Sequence, residues 1–302
     1  MNTIPDNIDF QTWYDLMEPA VKIRPARDIV REAIALLQAD LPAPVVMPWQ
    51  KLKDMFSFRA GEVTVYAGQN GSGKSMITTM IALQLMAQKR NVLIASFEMK
   101  PTTTLQRMVR QFANTQFPTI EDYQRFAAWA GNYLWFYDRQ GEASREQVIG
   151  VGNYAARELK MQDFFIDSLM KCVRGEDDYN AQKDFVSDCT NLARDTNLHI
   201  HLVHHIRKGQ TDESLPQKVD MKGSGSIADQ VDNVFMVWRN KKKERLIEAG
   251  QLVEPDEPDA MLLCEKQRNG ENEPRLRLWY DRKSQQFTEK PGANPYRFDS
   301  DF

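Results

Sequence analysis

The stretch that decides the fold is Val63-Thr-Val-Tyr-Ala67, which runs directly into Gly68-Gln-Asn-Gly-Ser-Gly-Lys-Ser75. The first five residues have the apolar character of a buried strand. The next eight match the pattern GxxxxGK[ST] in full, and a helical stretch at 75–88 follows at once. Because the motif stands between a strand and a helix, it predicts a phosphate-binding P-loop rather than a glycine-rich turn that binds nothing.

Each residue type in this loop serves phosphate chemistry. Glycines allow the backbone N–H groups to approach phosphate oxygens closely. Lys74 would reach the β- and γ-phosphates of ATP, and the Ser75 hydroxyl would ligate Mg²⁺. The predicted nucleotide contacts are therefore Gly68, Gln69, Asn70, Gly71, Ser72, Gly73, Lys74 and Ser75.

Outward from the loop, short apolar runs alternate with helical stretches. We predict strands at 63–67, 92–97, 134–137, 164–167, 200–204, 233–238, 261–265 and 276–280. Helices at 75–88, 102–114, 144–159 and 181–195 separate only the earlier strands. This order predicts an α/β fold with a mostly parallel sheet, helices on both faces and an antiparallel C-terminal edge.

Two acidic residues fall at the C-terminal ends of predicted strands, where open parallel sheets bind ligands. Asp167 ends Phe-Phe-Ile-Asp and is the candidate carboxylate for Mg²⁺, whereas Asp163 is interpreted as a surface or capping residue. Because Ser168 follows Asp167, the catalytic base cannot come from an Asp-Glu pair. Glu98, after the strand 92–97, is placed to polarise the attacking water. The alternative is a solvated glutamate.

The composition is that of an ordinary globular protein, with 42% hydrophobic and 27% charged residues over 302 positions. A net charge of −3 means that any nucleic-acid binding must come from a few basic loops. The sequence shows neither a membrane span nor a secretory leader. Three scattered cysteines favour a reducing compartment, so we expect a cytoplasmic protein of a bacterium or a phage-infected cell.

The first fifty residues are predicted to form an arm attached to the domain core rather than part of that core. The segment 28–38 places Ile29, Ala33, Leu36 and Leu37 on one helical face, and three prolines follow at 41–48. The helix could pack on its own domain or on a neighbouring subunit, and its apolar stripe does not decide between them. We divide the chain into an N-terminal arm at 1–50, an ATPase domain at 51–290 and an acidic tail at 291–302.

Five sequence blocks occur in order between residues 41 and 287. They are MPWQKL with FRAGEVTVYAG, GQNGSGKS, SFEM, FFIDSL, and KGSGSIADQVDNV followed by EKQRNG. Together they resemble the RecA-like motor domain of the DnaB-like (superfamily 4) replicative helicases. HLVHHIRKG looks closer to the phage primase-helicase and mitochondrial helicase branch. The resemblance implies an ATP-dependent, ring-forming DNA helicase that translocates on single-stranded DNA and requires Mg²⁺.

The resemblance also implies roles for single residues. Glu98 is the general base, and His205 senses the γ-phosphate, with His204 as the competing assignment. Lys266 and Arg268 match a basic pair that reaches the neighbouring subunit's ATP site, Arg268 as the arginine finger. By residue type alone they would be two solvated charges on a turn. A finger that acts across an interface implies a homo-oligomer, with six subunits expected.

DNA contacts are predicted in two loops that follow strands: Arg207 and Lys208 in the first, and Lys222, Gly223, Ser224 and Gly225 in the second. The basic run 239–245 is interpreted as a solvated outer loop. We expect a short arm in place of a primase domain before the motor, and therefore a separate primase, polymerase or loader as partner. The alternatives to a helicase are a RecA-like recombination ATPase and a nucleotide-gated helicase-loading or scaffold protein.

Overall fold

The computed structural model describes residues 2–3, 8–17, 23–38, 43–173, 178–206, 215 and 225–299. Within these residues, ten strands form one sheet in the order β1-β4-β3-β5-β6-β2-β7-β8-β9-β10. The strands are β1 Asn2–Thr3, β2 Val63–Gly68, β3 Val92–Ser96, β4 Leu134–Phe136, β5 Asp163–Asp167, β6 His199–His205, β7 Asn233–Arg239, β8 Ala260–Gln267, β9 Arg275–Asp281 and β10 Gln286–Thr288. Strands β1 to β7 pair in parallel. The pairs β7–β8, β8–β9 and β9–β10 are antiparallel, which confirms the predicted fold class.

The α-helices of the described residues are α1 Phe10–Asp15, α2 Ala26–Gln38, α3 Lys74–Ala87, α4 Pro101–Ala113, α5 Ile120–Ala130, α6 Arg145–Arg157, α7 Tyr179–Thr196, α8 Gly225–Gln230 and α9 Lys241–Glu248. Four of them, α1, α5, α8 and α9, were not predicted from the sequence. The interpretation of 239–245 as an outer loop is wrong, because the Asn240 side chain accepts from the backbone N–H of Lys243 and caps α9 there.

Helices cover both faces of the sheet, so the side chains of its central strands are buried on both sides. In β2, Val63, Val65 and Ala67 join one apolar cluster, whereas Tyr66 joins the other. This alternation follows from the two-residue period of a strand. Helices α6 and α7 belong to the first cluster, and α3, α4 and α5 belong to the second. No helix of the described chain is long and apolar enough to cross a membrane.

The two N-terminal helices differ in their surroundings. Helix α1 packs against α6 so closely that a Cβ at Gly150 would lie 2.0 Å from the carbonyl oxygen of Phe10. Helix α2 instead presents apolar side chains to solvent, and Leu37 is 85% exposed. The structure therefore attaches α1 to its own sheet and leaves the apolar face of α2 uncovered. The division of the chain at residue 50 stays a prediction.

Asp163 is the clearest correction to the sequence analysis. It is fully buried, where we expected a surface or capping residue. One carboxylate oxygen lies 2.6 Å from Nε of Arg90, and the other lies 3.1 Å from Nε2 of His201. These contacts lower the pKa of Asp163 although burial opposes them. The error arose because both partners are distant in sequence.

His199 makes stability depend on pH. Its Nδ1 donates to the carbonyl of Arg59 at 2.6 Å, its Nε2 lies 2.9 Å from the Thr64 hydroxyl, and burial lowers the pKa of the ring to about 3. Below its ordinary pKa of about 6.5 the unfolded chain binds a proton that the folded chain excludes. We expect the free energy of unfolding to fall by about 1 kcal/mol from this residue between pH ~7 and pH ~5.5.

Urea titrations at the two pH values measure this effect, with His199→Gln as the comparison. The variant starts less stable because it loses a fitted pair of hydrogen bonds, but its stability should fall less on acidification. An equal loss in both proteins would show that His199 does not carry the pH dependence.

Candidate active site

The parallel register brings the P-loop, Glu98, Asp167 and His205 to the same edge of the sheet. Gly68, where the P-loop begins, pairs with His205, and Ser96, two residues before Glu98, pairs with Asp167. Because the carboxyl ends of parallel strands meet at the same edge, the P-loop, both acidic residues and His205 become neighbours.

Two glycines of the P-loop have backbone conformations that other residues rarely adopt. Gly71 and Gly73 have φ of 73° and 96°, in the left-handed region that favours glycine. A Cβ at Gly68 would lie 2.5 Å from the carbonyl oxygen of Val237 and 2.6 Å from Oγ of Ser72. The buried Ser72 hydroxyl has no hydrogen-bond partner among the described residues, so the loop retains an unused polar atom.

Lys74 is buried and turned onto its own loop. Its Nζ donates to the carbonyls of Gly68 at 2.9 Å and Gln69 at 2.8 Å. Burial lowers the pKa of Lys74 to about 8, so the ammonium stays mostly protonated at neutral pH. The cation is therefore held in place by two neutral acceptors that phosphate oxygens could replace.

Ser75 and Asp167 form the candidate metal pair. The Ser75 hydroxyl donates to Oδ2 of Asp167 at 2.8 Å, and burial raises the pKa of Asp167. A hydroxyl and a carboxylate are oxygen ligands of the kind that Mg²⁺ prefers. The residues present thus fit the metal that the sequence predicts.

Glu98 receives two hydrogen bonds on one oxygen. Its Oε1 accepts from Oγ of Ser168 at 2.8 Å and lies 3.2 Å from Nε2 of His205. The contact with His205, supported by that with Ser168, outweighs partial burial and lowers the pKa of Glu98 to about 2. The carboxylate is thus ionised, as a general base must be.

The two adjacent histidines lie in different surroundings. His205 reaches Glu98, whereas His204 is almost fully buried, and burial lowers its pKa to about 4. This difference follows from the alternation of side chains along β6. The geometry favours His205 as the sensor, and its role stays a prediction.

Two arginines near the site were not predicted to belong to it: Arg107 carried no prediction, and Arg239 was assigned to the outer loop 239–245. Arg107 of α4 lines a pocket together with Ser75 and Asp167, and its Nη2 lies 3.5 Å from Sδ of Met99. Arg239, at the end of β7, donates to the carbonyl of Gly71 in the P-loop at 3.0 Å. Neither could be found from a local motif, because an arginine on an amphipathic helix or at a strand end is ordinary.

Lys266 and Arg268 lie far from the P-loop of their own chain. Gln267, between them, pairs with Asn233, which in turn pairs with Thr64 near the start of β2. The P-loop leaves the other end of β2 at Gly68, four residues further on, so at ~3.3 Å per residue roughly 13 Å separates the two sites along the strand. The basic pair thus occupies the opposite edge of the sheet.

Both cations bind the C-terminal end of α8. Nζ of Lys266 donates to the carbonyls of Ala228 and Val231, each at 2.7 Å. Nη2 of Arg268 donates to the carbonyl of Asp229 at 3.0 Å, and its Nε lies 3.5 Å from the carboxylate of Asp232. This arrangement is a cationic cap on a helix C-terminus rather than a pair of solvated charges.

The predicted DNA-contact residues fall almost entirely outside the described residues. Those outside are Arg207, Lys208, Lys222, Gly223 and Ser224, and Gly225 is the first residue of α8.

A strand, P-loop and helix, with two acidic residues at adjacent strand ends, define a P-loop ATPase. The family model described as the DnaB-like helicase C-terminal domain matches residues 47–289. The chain belongs to this family, and it is an ATP-hydrolysing helicase domain.

Two solved structures are similar to the chain. The ATPase domain of a phage helicase has a TM-score of 0.71 and 14% identity, over 89% of this chain and 99% of that chain. A structure of a DnaB-like replicative helicase and its interactions with primase has a TM-score of 0.67 and 14% identity, over 88% of this chain and 67% of that chain. At this identity the likeness establishes the fold, which is RecA-like.

Gly68→Ala should weaken ATP binding at least tenfold, because the new methyl group would collide with the backbone of Val237 and displace the loop. Gly250→Ala is the control, since its φ of 68° strains alanine but its Cβ would meet nothing within 4 Å, whereas Gly68 has the contact without the positive φ. Calorimetric titration with a non-hydrolysable ATP analogue measures both. Equal affinities for the two variants would contradict the role of Gly68.

Proposed function

We propose that this chain forms a ring that hydrolyses ATP at sites shared between neighbouring subunits and moves along single-stranded DNA during replication. One observation carries the proposal: Lys74, Glu98 and Asp167 lie at one edge of the sheet, and Lys266 and Arg268 lie at the opposite edge. A subunit with half of a site on each edge completes its site only with a neighbour. Repetition of that contact closes a ring if the rotation allows it.

The P-loop residues would hold the phosphates of ATP, and Ser75 with Asp167 would hold Mg²⁺. When bound, Mg²⁺ supplies positive charge that neutralises the β- and γ-phosphate oxygens. Lys74 would exchange the carbonyls of Gly68 and Gln69 for phosphate oxygens. This exchange would require only rotation of the Lys74 side chain, because both carbonyls belong to the same loop.

Glu98 would accept a proton from the attacking water. The base is linked to the DNA side of the domain through His205, which contacts Glu98 and ends β6 two residues before Arg207. A change in the loop after β6 would therefore alter the hydrogen bonding of the base. This link supports a hydrolysis step that responds to DNA.

Arg268 would act in the neighbour's site. To do so, its guanidinium must leave the carbonyls of α8 for a phosphate, where it would stabilise charge in the transition state. Helix α8 begins at Gly225, the last residue of the second predicted DNA loop. The basic pair and that loop are thus attached to opposite ends of one short helix, which supports coupling between DNA contact and the shared site.

The predicted loops would contact the DNA backbone through Arg207, Lys208 and Lys222, so binding should tolerate sequence and weaken with salt. The likeness to a helicase whose structure describes its interactions with primase supports a separate primase as partner. A polymerase and a loader are further partners that we propose.

Mixing two inactive variants tests whether the site is shared. Lys74→Ala removes the phosphate cation, and Arg268→Ala should lower kcat on the order of 10³-fold. In co-expressed mixtures, about one interface in four would join an intact Lys74 to an intact Arg268 if the subunits assemble head to tail. We expect ATPase activity stimulated by single-stranded DNA to reappear in the mixture only.

No recovery in assembled mixtures would place Arg268 outside the neighbour's site. Unwinding of a forked duplex by the wild type separates a helicase from the alternatives. Filaments that pair strands without unwinding would identify a recombination ATPase. Undiminished function in a Glu98→Gln protein would identify a scaffold or loader.

The exposed apolar face of α2 is proposed to pack on the next subunit. Ile29, Val30 and Ile34 are each about half exposed and leave a continuous apolar stripe. Ile34→Asp should shift the protein toward monomers in sedimentation velocity and lower its ATPase activity accordingly. Leu252→Asp is the control, because Leu252 is exposed outside this helix. A ring population equal to that of the wild type in Ile34→Asp would exclude α2 as an assembly element.

A further inference from the structure

We infer that Ser168 is a positioning residue for the general base Glu98. This inference deepens the proposed function and rests on Glu98 acting as the base. Ser168 is fully buried, and its hydroxyl donates to Oε1 of Glu98 at 2.8 Å. From the sequence, Ser168 indicates only that no glutamate follows Asp167, and it receives no role of its own.

The donor lies on a backbone fixed by hydrogen bonds, and the acceptor lies at the end of a longer, partly exposed side chain. The Ser168 carbonyl accepts from the backbone N–H of Lys171 at 3.1 Å and lies 3.5 Å from Sγ of Cys172. Its neighbour Asp167 is bound to β3 through the backbone N–H of Phe97 at 2.8 Å. The Glu98 side chain, by contrast, is 37% exposed on a flexible stem. A rigid hydroxyl that meets a flexible carboxylate sets the position of the carboxylate.

Consecutive residues thereby fix both acidic groups of the site. Asp167 accepts from Ser75 at 2.8 Å, and Ser168 donates to Glu98 at 2.8 Å. The dipeptide thus sets the separation between the candidate metal carboxylate and the base, and it holds them in place although they repel each other.

Ser168 also selects which oxygen of Glu98 faces the water. Both Ser168 and His205 contact Oε1, and within the described chain no donor reaches Oε2. Oε2 is therefore the oxygen that accepts the water proton, while Oε1 serves as the anchor. Loss of the Ser168 bond would leave His205 as the sole anchor and allow the carboxylate to rotate.

Steady-state ATPase kinetics of Ser168→Ala test this role. We expect kcat to fall about 10- to 100-fold and the KM for ATP to change less than about twofold, because Ser168 acts on the base and not on the P-loop. Ser168→Thr retains the hydroxyl and should restore most of kcat. If the alanine variant is unstable, Ser168→Cys replaces it in the test. Cysteine has nearly the volume of serine but is a weak hydrogen-bond donor, so this variant should also lower kcat.

Ser284→Ala is the matched control. Ser284 is also fully buried and donates its hydroxyl to the Asp281 carboxylate at 2.5 Å, but it lies between β9 and β10. It should lose stability in thermal unfolding without a change in kcat. An equal fall of kcat in both variants would overturn the inference, because loss of any buried serine hydroxyl would then suffice.

A double-mutant comparison identifies the partner through which Ser168 acts. Glu98→Asp shortens the side chain by one methylene, so the hydroxyl cannot reach the carboxylate, and Ser168→Ala should then have little further effect. A full additional loss in that background would overturn the inference.

Glu98→Gln separates the two possible failures. If it turns over ATP as fast as the wild type, the base assignment fails and the inference on Ser168 fails with it. If Glu98→Gln is inactive while Ser168→Ala turns over normally, only the inference on Ser168 is overturned.

Discussion

The active-site geometry depends on the in-register parallel pairing of β2, β3, β5 and β6. The P-loop follows β2, Glu98 follows β3, Asp167 ends β5 and His205 ends β6. Because each comes from a different strand, only the hydrogen-bonded pairing of these strands brings them together. A slip of one residue would turn every side chain of a strand to the other face. Burial on both faces excludes such a slip, because it would exchange the members of the two apolar clusters. The packing of the two apolar clusters therefore also fixes the alignment of the catalytic residues.

Strand β2 also connects the two halves of the proposed shared site. At its beginning, the N–H of Val63 donates to the Asp232 carboxylate at 3.0 Å, and the other oxygen of that carboxylate faces Arg268. Next to it, Asn269 donates to the buried carboxylate of Glu62 at 2.6 Å. At its end, β2 becomes the P-loop. The turn that carries the proposed finger and the predicted phosphate loop are thus fixed to the same strand. In the proposed ring, this strand would transmit movement at one subunit interface to the next.

Local sequence patterns predicted what depends on local physics. The apolar runs gave all eight predicted strands, and the P-loop motif gave its strand and helix, because hydrophobic period and glycine spacing are short-range signals. Helix α9 was missed because its run of lysines carries no apolar stripe. It forms because Asn240 caps it and the Lys243 ammonium lies 2.7 Å from Asp259. Helix α1 was missed because it has only six residues, and contact with α6 stabilises it.

Long-range contacts explain the remaining differences. Ser168 and Glu98 are 70 residues apart, and His205 and Glu98 are 107 apart, so no motif window includes either pair. The same holds for Asp163, whose burial depends on Arg90 and His201. The motifs identified which chemical groups the site contains, whereas the structure shows which atoms those groups contact at rest. For Lys74 the resting partners are the carbonyls of Gly68 and Gln69, neutral acceptors that an anionic phosphate can displace. A buried cation that already has weak, replaceable partners can bind phosphate without the full cost of desolvating its charge. Arg268 differs, because the Asp232 carboxylate also contacts its guanidinium.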